Sequence, residues 1–273
     1  MTLLNRYFSP AEITGAASLL LACLVFFFAP LLTLCILFVF ILCCLLAPFF
    51  PEISFFLPII CRGSGQKNSI ALTFDDGPSP GSTLFILDIL ARYNCRATFF
   101  IIGKNACQHP ELIRKIVDEG HSIGNHSWDH DNLLMFRTLK TLDADIGKTQ
   151  NVMAELTIKP RVFRPPVGIT GPRLGPVLNK LNMVAVNFSC RAFDKGNRTV
   201  DGLADNILAK IRSGDILLLH DTWPLQEKQV DVWKKELEQL IERLQSRYTI
   251  VPLETLTGCS VMERLTPEES TQE

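Results

Sequence analysis

Two short stretches carry residue types that could do chemistry together. In Thr73-Phe74-Asp75-Asp76-Gly77-Pro78, adjacent carboxylates sit where the apolar run Ile70-Ala71-Leu72-Thr73-Phe74 meets a Gly-Pro breaker, the pattern of a buried strand ending in a turn. In Asn125-His126-Ser127-Trp128-Asp129-His130, two imidazoles stand four residues apart, within reach of one ion if the backbone between them is helical or tightly turned. Either Asp would complete a His-His-carboxylate metal set, leaving its neighbour free to take a proton from a water. Alone, Asp-Asp-Gly-Pro is an ordinary turn sequence and His-x-x-x-His a common loop pattern. Two further stations strengthen the combination: Phe163-Arg164-Pro165-Pro166-Val167-Gly168, and an apolar run over 215–219 that ends at His220-Asp221.

The order Thr-Phe-Asp-Asp-Gly, His-Ser-x-x-His, Arg-x-Pro-x-Gly and Leu-x-Leu-His-Asp resembles the polysaccharide deacetylase family, the NodB-homology or carbohydrate esterase 4 family, over roughly residues 67–257. The resemblance implies that Asp76, His126 and His130 bind a divalent metal, usually zinc, with positions open for water and the acetyl oxygen. It implies Asp75 as general base, positioned by Arg164, and His220 as the acid for the departing nitrogen. The Val167 N–H would share the oxyanion, and Leu218 would receive the acetyl methyl. Two departures stand out. Of the family's acidic motif only Asp194 is present, with Arg191 where an acid is common, and Val167 replaces a frequent aromatic.

Apolar strands at 69–74, 97–103, 121–125, 162–164, 183–188, 215–220 and 249–253 alternate with helical patterns at 83–93, 111–119, 133–155, 172–181, 202–212 and 226–246. That alternation argues for one parallel α/β domain, barrel or wound sheet. The resemblance selects a distorted, incomplete (β/α) barrel of about seven parallel strands with its site at the strands' C-terminal ends. His121, within a strand, and His109, before Pro110, read as structural.

Residues 13–51 carry no charge and would span about 58 Å as one helix, against about 30 Å of hydrocarbon. Pro30 divides the run, favouring two short transmembrane helices within a 13–60 anchor over one crossing plus an interfacial piece. The apolar core is too long for a cleaved signal peptide. A short N-terminal segment, 1–12, precedes it and a polar tail, 258–273, ends the chain. A hairpin keeps the catalytic domain on the N-terminal side of the membrane; a single crossing puts it opposite.

Without Arg6, Glu12 and Glu52 the chain is formally neutral, which gives nucleic-acid binding no electrostatic support. The nine cysteines show no Cys-x-x-Cys pair; a Cys95–Cys107 bridge is one arrangement, free thiols the favoured one. The expected protein is a zinc-dependent N-deacetylase of envelope amino sugars, peptidoglycan first, at the bacterial inner membrane with an extracytoplasmic site. Its expected partners are an N-acetylated glycan and membrane lipid, with no protein partner inferred. A deacylase or deformylase of a lipid-linked amino sugar and a silent glycan-binding relative are the alternatives.

Overall fold

The computed structural model describes residues 8–63, 67–192 and 196–266. Two antiparallel helices come first, α1 (Pro10–Val25) and α2 (Pro30–Leu46). Ser9 caps α1 reciprocally: its hydroxyl accepts the Glu12 amide at 3.2 Å, and Glu12 accepts the Ser9 amide at 2.7 Å. The helices approach closely at Gly15, where a Cβ would lie 2.9 Å from the Phe40 ring. Most of their large side chains, including Leu20, Leu24, Leu31 and Phe38, are exposed. A helix apolar on all sides suits a hydrocarbon solvent. Pro30–Phe49, α2 with the 3-10 turn that follows it, is long and apolar enough to cross a membrane; α1 is shorter, at 16 residues.

The rest is a curled sheet built from β1 (Ile59–Ile60), β2 (Ser69–Asp75), β3 (Ala97–Ile101), β4 (Ser122–Asn125), β6 (Val162–Phe163), β7 (Val184–Val186), β8 (Cys190–Arg191), β9 (Ile216–His220) and β10 (Thr249–Ile250). Its order is β1-β7-β6-β4-β3-β2-β9-β8, all parallel, with β10 beside the start of β2. The end strands are not paired with each other. An antiparallel bridge between Arg62 and Asp215, with their side chains 2.7 Å apart, spans part of the gap. This is the incomplete barrel expected from the sequence. Each of the seven expected strands is present, with ends moved by a few residues, and short strands that the apolar pattern did not announce are added.

Around the sheet lie α3 (Pro80–Arg92), α4 (Gly103–Gln108), α5 (Pro110–Asp118), α6 (Leu139–Glu155), α7 (Leu174–Lys180), α8 (Leu203–Leu208), α9 (Val230–Gln245) and α10 (Leu253–Thr257). The helix expected over 133–155 is two pieces, a 3-10 turn at Leu134–Phe136 and α6, because Thr138 caps α6 by accepting the Thr141 amide. Strand β3 stops at Ile101 and α4 begins at Gly103, two residues later. A separate two-stranded pair joins β5 (Ile158–Pro160) to β11 (Met262–Arg264), within the segment read as tail. The cysteines are free thiols, Cys95 buried and Cys107 exposed.

Strand alternation sets what the barrel holds. Along β2, Ile70, Leu72 and Phe74 pack outward with Ile86, Leu90, Trp233 and Leu240 in one core. Ala71 packs inward with Phe100, Val162, Val186 and Ile216, and Thr73 and Asp75 share its face by the two-residue period. The inner face is thus where a polar cluster can form.

His121 precedes β4, where its Nδ1 accepts the Ala97 amide at 3.2 Å. Burial pushes its pKa down to about 4, the Glu119 carboxylate opposing and Arg96 reinforcing the shift. Between about pH 6.5 and 4 the unfolded chain takes up a proton that the folded chain refuses. Stability should therefore fall by up to about 3 kcal/mol as pH drops through that window and not change from this group above it. Urea unfolding at pH 7.5 and 4.5 should show this loss in the native chain and a smaller one in His121→Gln.

Candidate active site

The first carboxylate pair separates because the backbone turns between its members. Asp75 ends β2 with its side chain inward, and its carbonyl accepts the Asp221 amide at 2.7 Å. Asp76 then adopts φ +75°, leaving the strand direction, and its carbonyl accepts the Asn105 side-chain amide at 3.0 Å. Gly77 follows of necessity: a Cβ there would lie 2.2 Å from the Asp221 carboxylate. Asp221 is fully buried and accepts the hydroxyls of Ser82 at 2.8 Å and Thr83 at 2.6 Å. Burial pushes its pKa up to about 7, with these hydroxyls pulling it down and Asp76 adding to the rise.

The second stretch is a tight turn, not a helix. His126 continues β4, its amide bonded to the Ile101 carbonyl at 2.9 Å. Ser127 and His130 both have positive φ, at +71° and +57°. Asn125 Oδ1 accepts the Ser127 amide, Ser127 Oγ accepts the His130 amide, and Asp145 accepts the Trp128 amide. These bonds hold the two imidazole centres 4.9 Å apart.

The turn delivers both rings to Asp76. Its Oδ1 is 3.5 Å from His126 Nε2 and 3.3 Å from His130 Nε2. The ligand atoms of the three residues all lie within 4.8 Å of one another. Burial raises the Asp76 pKa, while the adjoining imidazoles of His126, His220 and His130 lower it by more and hold the carboxyl well below its usual range. Two observations test whether this cluster fits a metal. Asp76 Oδ1 is buried without a hydrogen-bond partner. His126 Nδ1 lies 2.7 Å from the Arg164 carbonyl, an acceptor, so Nδ1 carries the hydrogen and Nε2 presents a lone pair to the cluster. A cation resolves both, and the residues fit one.

Arg164 organises the other half. Fully buried, it donates through Nη1 to Asp75 Oδ1 and Thr73 Oγ1, both at 2.7 Å, through Nη2 to the Asn187 carbonyl at 3.0 Å, and through Nε to the Val186 carbonyl at 3.3 Å. Its guanidinium also covers the Phe100 ring at 3.9 Å. Asp75 Oδ2 is left 3.8 Å from His126 Nε2, beside the cluster. His220 is the register partner of Asp75 on β9, and Leu218 lies two residues earlier on the same face. Val167 adopts φ +52°, a conformation a β-branched residue rarely takes, and its side chain is half exposed.

The structure thus gathers Asp75, Asp76, His126, His130 and Arg164, and sets His220 and Leu218 on the same inner face. Arg191 lies in β8 with its guanidinium 5.3 Å from the centre of the Phe188 ring. Asp194 falls outside the described residues. Thr73, Asn187, Asp145 and Asp221, to which the sequence motifs assign no role, all brace the cluster. Asn187 carried a usable signal, a polar residue closing the apolar run Val184-Ala185-Val186. The bracing of Asp221 by Ser82 and Thr83 had none, since their separation in sequence says nothing of their contact.

Residues 62–186 match the family model described as polysaccharide deacetylase. A chitooligosaccharide deacetylase of Bradyrhizobium sp. is 35% identical over 202 residues, covering 71% of this chain and 92% of the relative. A peptidoglycan-N-acetylglucosamine deacetylase of Listeria monocytogenes is 35% identical over 166 residues, 60% of this chain but only 34% of that protein. Among solved structures, the Bc1960 peptidoglycan N-acetylglucosamine deacetylase superposes with a TM-score of 0.67 at 30% identity, covering 74% of this chain and 94% of that one.

Proposed function

The chain belongs to the polysaccharide deacetylase family, and we propose that it is a membrane-anchored, metal-dependent N-deacetylase that hydrolyses the acetamide of amino sugars in a bacterial envelope glycan, with peptidoglycan the first polymer to test. The observation that carries this reading is the double grip of Arg164. Its guanidinium holds Asp75 and its backbone carbonyl holds His126, so one buried residue aligns a candidate base with a candidate metal ligand.

Asp76, His126 and His130 would hold the divalent ion, zinc by family resemblance, and such an ion polarises an amide carbonyl and acidifies water. Asp75, held in place by Arg164, takes a proton from the attacking water through Oδ2. The strained turn at Val167 offers its backbone N–H to the oxyanion. Leu218 accepts the acetyl methyl. His220 passes a proton to the leaving nitrogen, so that water and amide become acetate and a free amine. Asp194 is retained from the motif as a residue that orients this acid–base set. The proposed organisation is an anchor at 13–60, a catalytic domain at 67–257 and a tail at 258–273, with the catalytic domain outside the inner membrane. The helical hairpin supports retention at the membrane.

The test combines calorimetric zinc titration of the metal-stripped full chain with acetate release from peptidoglycan and chitooligosaccharides. One zinc per native chain is expected, with affinity lowered at least about a hundredfold in His126→Ala. Zinc-dependent acetate should follow. Zinc bound in the cluster without acetate from either glycan would overturn the substrate assignment; no zinc binding would overturn the metal site.

A further inference from the structure

The hairpin does more than trail from the catalytic domain, because its base is built into the rim of the site. The Pro48 carbonyl accepts the Thr170 amide at 3.2 Å. The Pro51 carbonyl accepts Asn187 Nδ2 at 2.9 Å and the Cys61 thiol at 3.0 Å. Asn187 Nδ2 also donates to the Gly168 carbonyl at 3.2 Å, while the Asn187 carbonyl receives Arg164 Nη2. A chain of hydrogen bonds through Arg164 and Asn187 joins Asp75 to the base of the hairpin.

Around this junction large apolar side chains face outward. Phe49 and Phe50 leave α2, and Leu133 and Phe136 lie on the segment that follows His130; each is more than half exposed. The Phe49 and Phe136 rings are 6.3 Å apart, and Val167 is exposed on the loop that Asn187 ties to Pro51. At the opposite end, the turn at 26–29 bears Phe27 and Phe28, exposed by 85% and 89%, and no polar side chain. The Val25 carbonyl there accepts the amides of Phe28 and Ala29, and the buried Thr33 hydroxyl donates to the Ala22 carbonyl. A turn whose side chains are all apolar, with the Phe28 and Ala29 amides bonded back to the helix, suits hydrocarbon better than water on a far side. The exposed apolar surface therefore runs from the tip of the hairpin to the rim of the site, far more than a surface bathed by water on all sides carries.

We propose that this face rests on a lipid leaflet, with the hairpin inserted tip-first from one side, and that the site takes N-acetylated amino sugars carried on membrane lipid at that surface. The substrate half rests on the deacetylase reading above; the surface half does not. The occupant is the leaflet because the face is continuous with a hairpin whose segment Pro30–Phe49 is long and apolar enough to cross a membrane.

The experiment uses the full chain in vesicles of phosphatidylethanolamine and phosphatidylglycerol containing polyprenyl diphosphate-linked N-acetylglucosamine. Phe27→Trp and Phe136→Trp fluorescence should both be quenched by brominated lipids, Phe136→Trp most by those brominated near the headgroup. Phe136→Glu should lose about tenfold in acetate release from the lipid-linked sugar, the effect of withdrawing one phenyl ring from lipid. It should retain its rate on a soluble chitooligosaccharide within about twofold, because the ring does not touch the reacting groups. Absence of quenching at Phe136→Trp would overturn the surface. Equal losses on both substrates, or release from the soluble glycan alone, would overturn the lipid-linked substrate while leaving the deacetylase reading intact. Acetate from neither, with quenching present, would sink the deacetylase reading and leave the surface standing.

Discussion

Replacing Asp75 by Asn should lower acetate release by about a thousandfold while leaving zinc affinity within a few-fold of the native chain. The magnitude follows from removing a positioned general base, worth about 10²–10⁴ in rate. The selectivity follows from the geometry: the ligand cluster is Asp76, His126 and His130, and Asp75 reaches it only at 3.8 Å through Oδ2. Asn keeps an oxygen for Arg164 Nη1 but not a base. Because the substitution also strips a buried guanidinium of its counterion, thermal unfolding should be measured alongside activity. An activity loss no larger than the fraction unfolded would show that Asp75 acts only in stability.

Arg164→Leu should be the most damaging single substitution for the fold of the site. It deletes donors to Thr73, Asp75, Val186 and Asn187 and leaves the Asp75 carboxylate buried without its partner. Breaking a buried pair from one side costs about 3–5 kcal/mol, more than the pair's net contribution to stability. At about 2–4 °C per kcal/mol for a domain of this size, Tm should fall by roughly 10 °C. Activity should fall at least about a hundredfold, since the base loses its orientation. Adding Asp75→Asn to Arg164→Leu should restore part of the lost Tm by removing the stranded charge, and no activity. Were the double variant less stable than Arg164→Leu alone, the stranded charge would not be the cause. Arg164→Lys should fall between, because an ammonium lacks the planar fork that reaches four acceptors.

The sequence by itself determined the class of fold and offered the candidate site residues. Seven strands were legible because a buried strand is a local apolar run, and the alternation of Ile70, Leu72 and Phe74 with Ala71, Thr73 and Asp75 already assigns the faces of β2. Helix ends set by caps were less legible, as at Thr138, where a hydroxyl interrupts a pattern that periodicity runs together. Residue types and spacing alone left open which Asp faces the imidazoles, and the resemblance to a family chose Asp76. The physical reason lies in the structure: a left-handed backbone at Asp76, tolerated because Gly77 lets Asp221 close in behind it, turns one carboxylate to the histidines and leaves the other on Arg164. The bracing by Asn187, Asp145 and Asp221, and the junction of the hairpin with the rim through Pro51, were decided by tertiary structure alone. They join residues up to 139 positions apart, and hydrogen bonds across such distances leave no period in the chain. Only packing brings their partners within reach.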